Sequence, residues 1–186
     1  WPRGKDAVLC LHALPATTVE VRNNATSLTE QGLTTKGPLL PGHGTNPFEM
    51  NKTTWNDWLD TAEEALKDLM QHYSMVFVLG ESMGGLLTLH LAVKYPSLLG
   101  IMVFAPAVKI HNLWLSKLIW PFKSHLKKGK PKDSIPQQSY TVFPLRAAAS
   151  LYDFQQLVRK ELNQVTVPAL IFQGKLDDTV DPLGAV

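Results

Sequence analysis

Cysteine is nearly absent: Cys10 is the single cysteine among 186 residues. One thiol cannot close an intrachain disulfide, and its scarcity fits a reducing compartment. Cys10 lies in the apolar run Ala7-Val8-Leu9-Cys10-Leu11, so a buried, inert thiol is expected. Excess charge of one sign is also missing. Eighteen Lys and Arg against 16 Asp and Glu leave a formal charge of +2, too little to argue for a nucleic-acid partner. No apolar run reaches the roughly 18 residues of a membrane span, so no stable membrane insertion is expected. No signal-peptide pattern is visible. The sequence begins at Trp1 rather than methionine; the expected location is cytoplasmic, with a removed leader left open. Metal-ligand clusters, a phosphate loop and a dinucleotide fingerprint are lacking too, and no cofactor is expected. What remains, 45% hydrophobic and 18% charged, is the composition of an ordinary globular chain of one domain.

Against these absences stands Gly80-Glu81-Ser82-Met83-Gly84, a G-x-S-x-G pentapeptide. The apolar run Met75-Val76-Phe77-Val78-Leu79 before it reads as a buried strand. Gly85 to Tyr95 after it reads as a helix ended by Pro96. A serine on so sharp a strand-to-helix turn leaves no room for side chains at Gly80 and Gly84. The turn would lift the hydroxyl to the carboxyl end of a sheet and aim a helix N-terminus at any anion formed there. A tight turn that merely holds a serine is the alternative.

The rest of the chain alternates strands and helices. Ala7 to Leu11 reads as a strand with His12-Ala13-Leu14-Pro15-Ala16 as its exit loop. Thr17 to Gln31 reads as a helix capped by Gly32. Lys36 to Leu40 is expected to be a short, poor strand or extended segment ending in the turn Pro41-Gly42-His43-Gly44, and Asn46 to Lys52 a polar loop. Thr54-x-x-Asp57 has the form of a capping box, predicting a helix with Trp55, Trp58, Leu59, Ala62, Leu66 and Leu69 at helical spacing. Gly100 to Phe104 and Val167 to Gln173 read as further buried strands. The segment 108–150 differs in character and reads as an insertion, with helices near Leu113 to Ile119 and Leu145 to Leu162. Its apolar residues Leu113, Trp114, Leu118, Ile119, Trp120 and Phe122 would either pack onto the core or line an acyl pocket. Its basic run Lys127-Lys128-Gly129-Lys130-Pro131-Lys132 reads as a solvated loop. Alternating elements argue for an α/β fold with a mainly parallel sheet, one domain with a core formed by 1–107 and 151–186 around the insertion. In such sheets ligands sit at the carboxyl ends of the strands.

A serine nucleophile needs a base, a carboxylate to orient it and two N–H donors for the oxyanion. The N–H of Met83 is one donor by position, and the first loop offers Leu14 for the second. His12 in that loop reads as a structural group. Asp177 in Gln173-Gly174-Lys175-Leu176-Asp177-Asp178 is the preferred acid, with Asp178 the alternative. The base is missing: no histidine follows Asp177, and His12, His43, His72, His90, His111 and His125 all precede it. The expectation is a chain cut short of its last strand, loop and helix.

Five motifs in order resemble those of monoacylglycerol-lipase-like bacterial carboxylesterases of the α/β-hydrolase superfamily. They are Leu9-Cys10-Leu11-His12, Gly37 to Gly44, Thr53 to Trp58, Gly80 to Gly85 and Gln173 to Pro182. The resemblance spans nearly the whole chain. It implies an α/β-hydrolase fold with a small helical cap at 108–150, Ser82 as nucleophile, Asp177 as triad acid, and Leu14 and Met83 as oxyanion donors. It further implies a small-molecule ester as substrate, of short- to medium-chain acyl groups or monoacylglycerols; a thioesterase, a lysophospholipase or a non-catalytic binding scaffold would use the same site. One departure is Ala13, where the family usually has glycine. An alanine would be strained there if the position needs positive φ.

Overall fold

A computed structural model describes residues 4–128 and 139–185. At its centre is a parallel sheet of five strands, ordered β2-β1-β3-β4-β7. The strands are β1 (Asp6–Leu11), β2 (Thr34–Lys36), β3 (Met75–Glu81), β4 (Gly100–Phe104) and β7 (Ala169–Phe172). Their carboxyl ends lie together: Leu11 faces Gly80, Glu81 faces Phe104, and Phe104 faces Phe172. The helices are α1 (Arg22–Glu30), α2 (Pro47–Met50), α3 (Trp55–His72), α4 (Met83–Lys94), α5 (Leu115–Ile119) and α6 (Leu145–Glu161). Between α5 and α6, a short antiparallel hairpin pairs β5 (His125–Lys127) with β6 (Val142–Pro144). This is the parallel α/β architecture expected from the alternation of elements.

The main core lies between the sheet and α3, α4 and α6. Trp58, Leu66, Leu86, Leu87, Leu91 and Phe154 are fully buried there. Helix α3 starts where the sequence signals it: Asp57 Oδ2 accepts from the Thr54 N–H and hydroxyl, both at 2.7 Å. Helix α6 runs without a break through residue 150, and Ala147, Ala148, Leu151, Phe154 and Val158 carry it into this core.

Four local expectations are corrected. The residues from Thr17 to Val21 form turns, and α1 begins only at Arg22; Glu20 spends its side chain on the Ala13 N–H instead of entering a helix. Strand β2 is Thr34–Lys36, not Lys36 to Leu40, because pairing with Ala7 to Leu9 of β1 decides its register. The loop from Asn46 to Lys52 contains α2: the Asn46 side chain accepts the Phe48 and Glu49 N–H groups at 3.0 Å, and Pro47 occupies the first helical position. Finally, β7 is not buried; all four of its residues are exposed. Among the described residues it is an edge strand paired with β4, whose Phe104 stacks on its Phe172.

In the insertion, Leu113 is buried, whereas Trp114, Leu118 and Trp120 are exposed and Phe122 is 91% exposed. Of these exposed side chains, Trp120 lines a cavity of about 230 Å³ with Trp55 and Arg146 that includes neither Ser82 nor Asp177. Lys127 ends β5 and Lys128 is exposed; the rest of the basic run lies outside the described residues. No helix among the described residues is long and apolar enough to cross a membrane.

Candidate active site

Ser82 sits between β3 and α4 with φ 51° and ψ −108°, a conformation uncommon for any residue with a side chain. The surrounding backbone holds it there. Its N–H donates to Phe104 O at 2.9 Å, while its carbonyl accepts the N–H groups of Leu86 at 3.2 Å and Ala107 at 3.0 Å. The flanking glycines are required by contact. A Cβ at Gly80 would overlap the Gly84 carbonyl, and one at Gly84 would overlap the Leu11 carbonyl. The first strand, the turn and the helix therefore meet with no side chain between them. Met83 opens α4 and is fully buried, so its N–H has no intrahelical acceptor and lies beside Ser82.

The exit loop of β1 runs beside this turn. Ala13 is not among the residues of positive φ, so the alanine in place of glycine is unstrained. Its N–H donates to Glu20 Oε2 at 2.8 Å, and its carbonyl accepts the Ala16 N–H at 3.0 Å. Among the described residues, no acceptor takes the Leu14 N–H. His12 is buried and uses both ring nitrogens: Nε2 accepts the Leu40 N–H at 3.2 Å, which puts the proton on Nδ1, and Nδ1 donates to the Ala13 carbonyl at 3.0 Å. Burial pushes its pKa down to about 4. His43 packs edge-on against it, with ring centres 4.7 Å apart. Its Nδ1 reaches the carbonyls of Leu40 and Pro41, and burial, with His12 beside it, pushes its pKa down to about 3. Both are neutral structural groups of the Pro41-Gly42-His43-Gly44 turn, which Trp58 Nε1 also braces through the Pro41 carbonyl at 3.2 Å.

Asp177 lies in the loop after β7, half-buried, whereas Asp178 is exposed. Asp177 Oδ1 accepts the N–H groups of Thr179 and Val180, each at 2.9 Å, and Oδ2 accepts from Gln173 Nε2 at 3.2 Å. The carboxylate is thus oriented by its own loop. That loop is tied to the segment after β4 through the Ile110–Val180 bridge, the His111 N–H on Thr179 O at 3.3 Å, and the Lys109–Asp181 ion pair at 2.6 Å. Strand β4 joins the two halves of the site: Phe104 O takes the Ser82 N–H, and Phe172 O takes the Ala105 N–H at 2.8 Å. Strands β3 and β7 are two spacings apart, roughly 10 Å. A serine and a carboxylate at their ends need a bridging group.

Three of the remaining histidines have side-chain partners elsewhere. His90 Nδ1 pairs with Glu161 at 2.7 Å, His72 Nδ1 bonds Asp68 O at 2.7 Å, and His125 bonds Ser124 and Asn51. His111 is exposed and touches the Asp177 loop through its backbone. Sequence reasoning missed Glu20, Glu81 and Gln173. Glu81, an acid at the end of an apolar strand, was the visible signal: burial and the nearby Glu20 raise its pKa to about 7. A cavity of about 420 Å³ beside α1, lined by Cys10, Val21, Arg22 and Thr35 among others, includes neither Ser82 nor Asp177. Cys10 is buried as expected, and burial pushes its thiol up to about 12. Among the described residues, no group of three or more His, Cys, Asp or Glu is placed to hold a metal ion.

The model of the serine aminopeptidase S33 (Hydrolase_4) family matches residues 2–141. A thermostable monoacylglycerol lipase from Bacillus sp. (strain H-257) is 32% identical over 96% of this chain and 73% of its own length. A carboxylesterase from Bacillus subtilis (strain 168) is 25% identical over 96% of this chain and 74% of its own. Among solved structures, one from the metagenome-derived lipolytic enzymes LipS and LipT superposes with a TM-score of 0.91 at 28% identity, covering 97% of this chain and 76% of that one.

Proposed function

Because the chain belongs to the serine aminopeptidase S33 family of α/β-hydrolases, we propose that it cleaves carboxylic esters through an acyl-enzyme on Ser82. The substrates are short- to medium-chain acyl esters or monoacylglycerols, in keeping with the activities named for the two Bacillus relatives. One observation carries this reading: Ser82 is held at positive φ on a glycine-flanked turn at the N-terminus of α4. In the proposed reaction Ser82 Oγ attacks the ester carbonyl. The N–H groups of Met83 and Leu14 receive the negative charge of the tetrahedral intermediate. Asp177 orients an imidazole, which takes the serine proton and returns it to the departing alcohol; water then releases the acid. In this reading the insertion at 108–150 serves as a cap, of which residues 108–128 and 139–150 are described.

All six histidines of this sequence precede Asp177. A second reading of the same site is a ligand-binding scaffold without turnover. Hydrolysis of p-nitrophenyl butyrate, with and without free imidazole, separates the two. The esterase reading expects turnover that imidazole accelerates and Ser82→Ala abolishes. Ester binding with no turnover under either condition supports the scaffold, and turnover that survives in Ser82→Ala removes the nucleophile assignment.

A further inference from the structure

The first loop is clamped at one residue from three directions. The Ala13 carbonyl and the Leu14 N–H belong to one planar peptide and point to opposite sides of it. The carbonyl is held by His12 Nδ1–H and the Ala16 N–H, each at 3.0 Å. On the other side of Ala13, the N–H is held at 2.8 Å by Glu20 Oε2, from seven residues along the chain. With both of its peptide groups fixed, Ala13 cannot rotate, and the direction of the Leu14 N–H is set. His12 and Ala16 are local to the loop. Glu20 is the tie that reaches it from the turn before α1.

We propose that Glu20 is a positioning residue for oxyanion stabilisation: by accepting the Ala13 N–H it fixes the peptide that presents the Leu14 N–H beside Ser82. The inference rests on the ester-hydrolase reading above. A charged acceptor suits the task, since a carboxylate holds an N–H more strongly than a neutral carbonyl does. The groups that act on Glu20 are Glu81 at the end of β3 and Lys128 just after β5. Burial raises the Glu20 pKa, and the Ala13 N–H and the Lys128 ammonium oppose that rise. Glu81, immediately before the nucleophile, has its pKa raised to about 7 by burial and by Glu20. Near pH 7 Glu81 is therefore about half protonated, which weakens its repulsion of the Glu20 carboxylate. Lys128 also links this clamp to the insertion, because its backbone N–H bonds Thr141 O at 3.2 Å in the β5–β6 hairpin.

The test uses the full chain, p-nitrophenyl butyrate with free imidazole, and the Ala13 amide resonance. Glu20→Ala is expected to lower kcat at least about tenfold, below the 10²–10³ seen when an oxyanion donor is removed outright, with KM within about twofold. Glu20→Gln, which keeps an acceptor oxygen, recovers most of that loss. Glu20→Asp, which keeps the charge but shortens the reach, also loses kcat, and it serves where Glu20→Ala fails to fold. The Ala13 amide proton moves upfield in Glu20→Ala and stays in place in Ser82→Ala. Unchanged kcat in folded Glu20→Ala or Glu20→Asp, or an Ala13 amide that does not move in Glu20→Ala, overturns the proposal. If the unmodified chain shows no Ser82-dependent turnover, the ester reading fails on its own, and the Ala13 amide alone then decides whether Glu20 clamps the loop.

Discussion

Ser82 and Asp177 stand at the ends of two strands of one sheet, in opposite surroundings. Strand β3 lies between β1 and β4, with Val78 and Leu79 buried. The serine after it is fixed by backbone bonds to three neighbours and by glycine contacts that admit no side chain. Among the described residues, strand β7 has one neighbour, β4. Its Leu170, Ile171 and Phe172 are 51%, 47% and 43% exposed, and Phe172 stacks on Phe104 with ring centres 4.5 Å apart as its main aromatic contact. The two apolar runs look alike in the sequence. Burial is a property of what lies beside a strand, and composition alone does not supply it. The nucleophile side is therefore rigid by packing, while the acid side depends on hydrogen bonds within its own loop and on that loop's ties to Lys109, Ile110 and His111.

The largest effect expected from this contrast is on catalysis. Ser82→Ala should reduce esterase turnover at least about 10³-fold, to background. Asp177→Ala should leave a measurable fraction, because in the proposed reaction the carboxylate acts only through the imidazole it orients. Equal losses in a steady-state assay would break the distinction. Next is backbone contact. Gly84→Ala forces a Cβ into the Leu11 carbonyl and should cost several kcal/mol, whereas the nearest atom to a Cβ at Gly174 is Asp177 Cβ at 4.0 Å, and Gly174→Ala should change stability by less than about 1 kcal/mol. Urea denaturation of both variants compares them directly.

Side-chain truncation sharpens the same contrast. Leu87 is completely buried, and Leu87→Ala should lose about 2–5 kcal/mol. Ile171→Ala on the exposed edge should lose under about 1 kcal/mol. Similar losses in chemical denaturation would mean that the edge is covered in solution.

The smallest effect per step is titration. His12 and His43, with pKa values lowered to about 4 and about 3, are neutral in the fold but take up protons near pH 6.5 once unfolded. The unfolded chain then binds more protons, so their contribution is intact above pH 6.5. It is lost as pH falls from there towards 3, by up to about 1.4 kcal/mol per pH unit for each histidine. Glu81 works in the opposite sense: its raised pKa makes its contribution fall as pH rises from the usual carboxylate range to about 7. The acid-side loss should be reduced in His43→Gln if that variant folds. Thermal denaturation across pH 4 to 8 reads both trends.

Much of this site was legible in the sequence because its signals are local. The glycines around Ser82, the apolar run before it and the Thr54–Asp57 box each act within a few residues. The Asn46-Pro47 start of α2 was local too, and its preference for a helix N-terminus outweighed the polar look of the segment. What was hidden depends on distant partners. Glu20 left the expected helix because Ala13 offered it an N–H. Strand β2 took its register from β1. The exposure of β7 follows from the elements beside it, which no local pattern records.

The most direct test of the central claim is to treat the chain with a fluorophosphonate ester and locate the adduct by mass spectrometry of the digested protein. Modification confined to the peptide bearing Ser82, and absent in Ser82→Ala, is the result predicted. Labelling elsewhere, or labelling unchanged in Ser82→Ala, would contradict it.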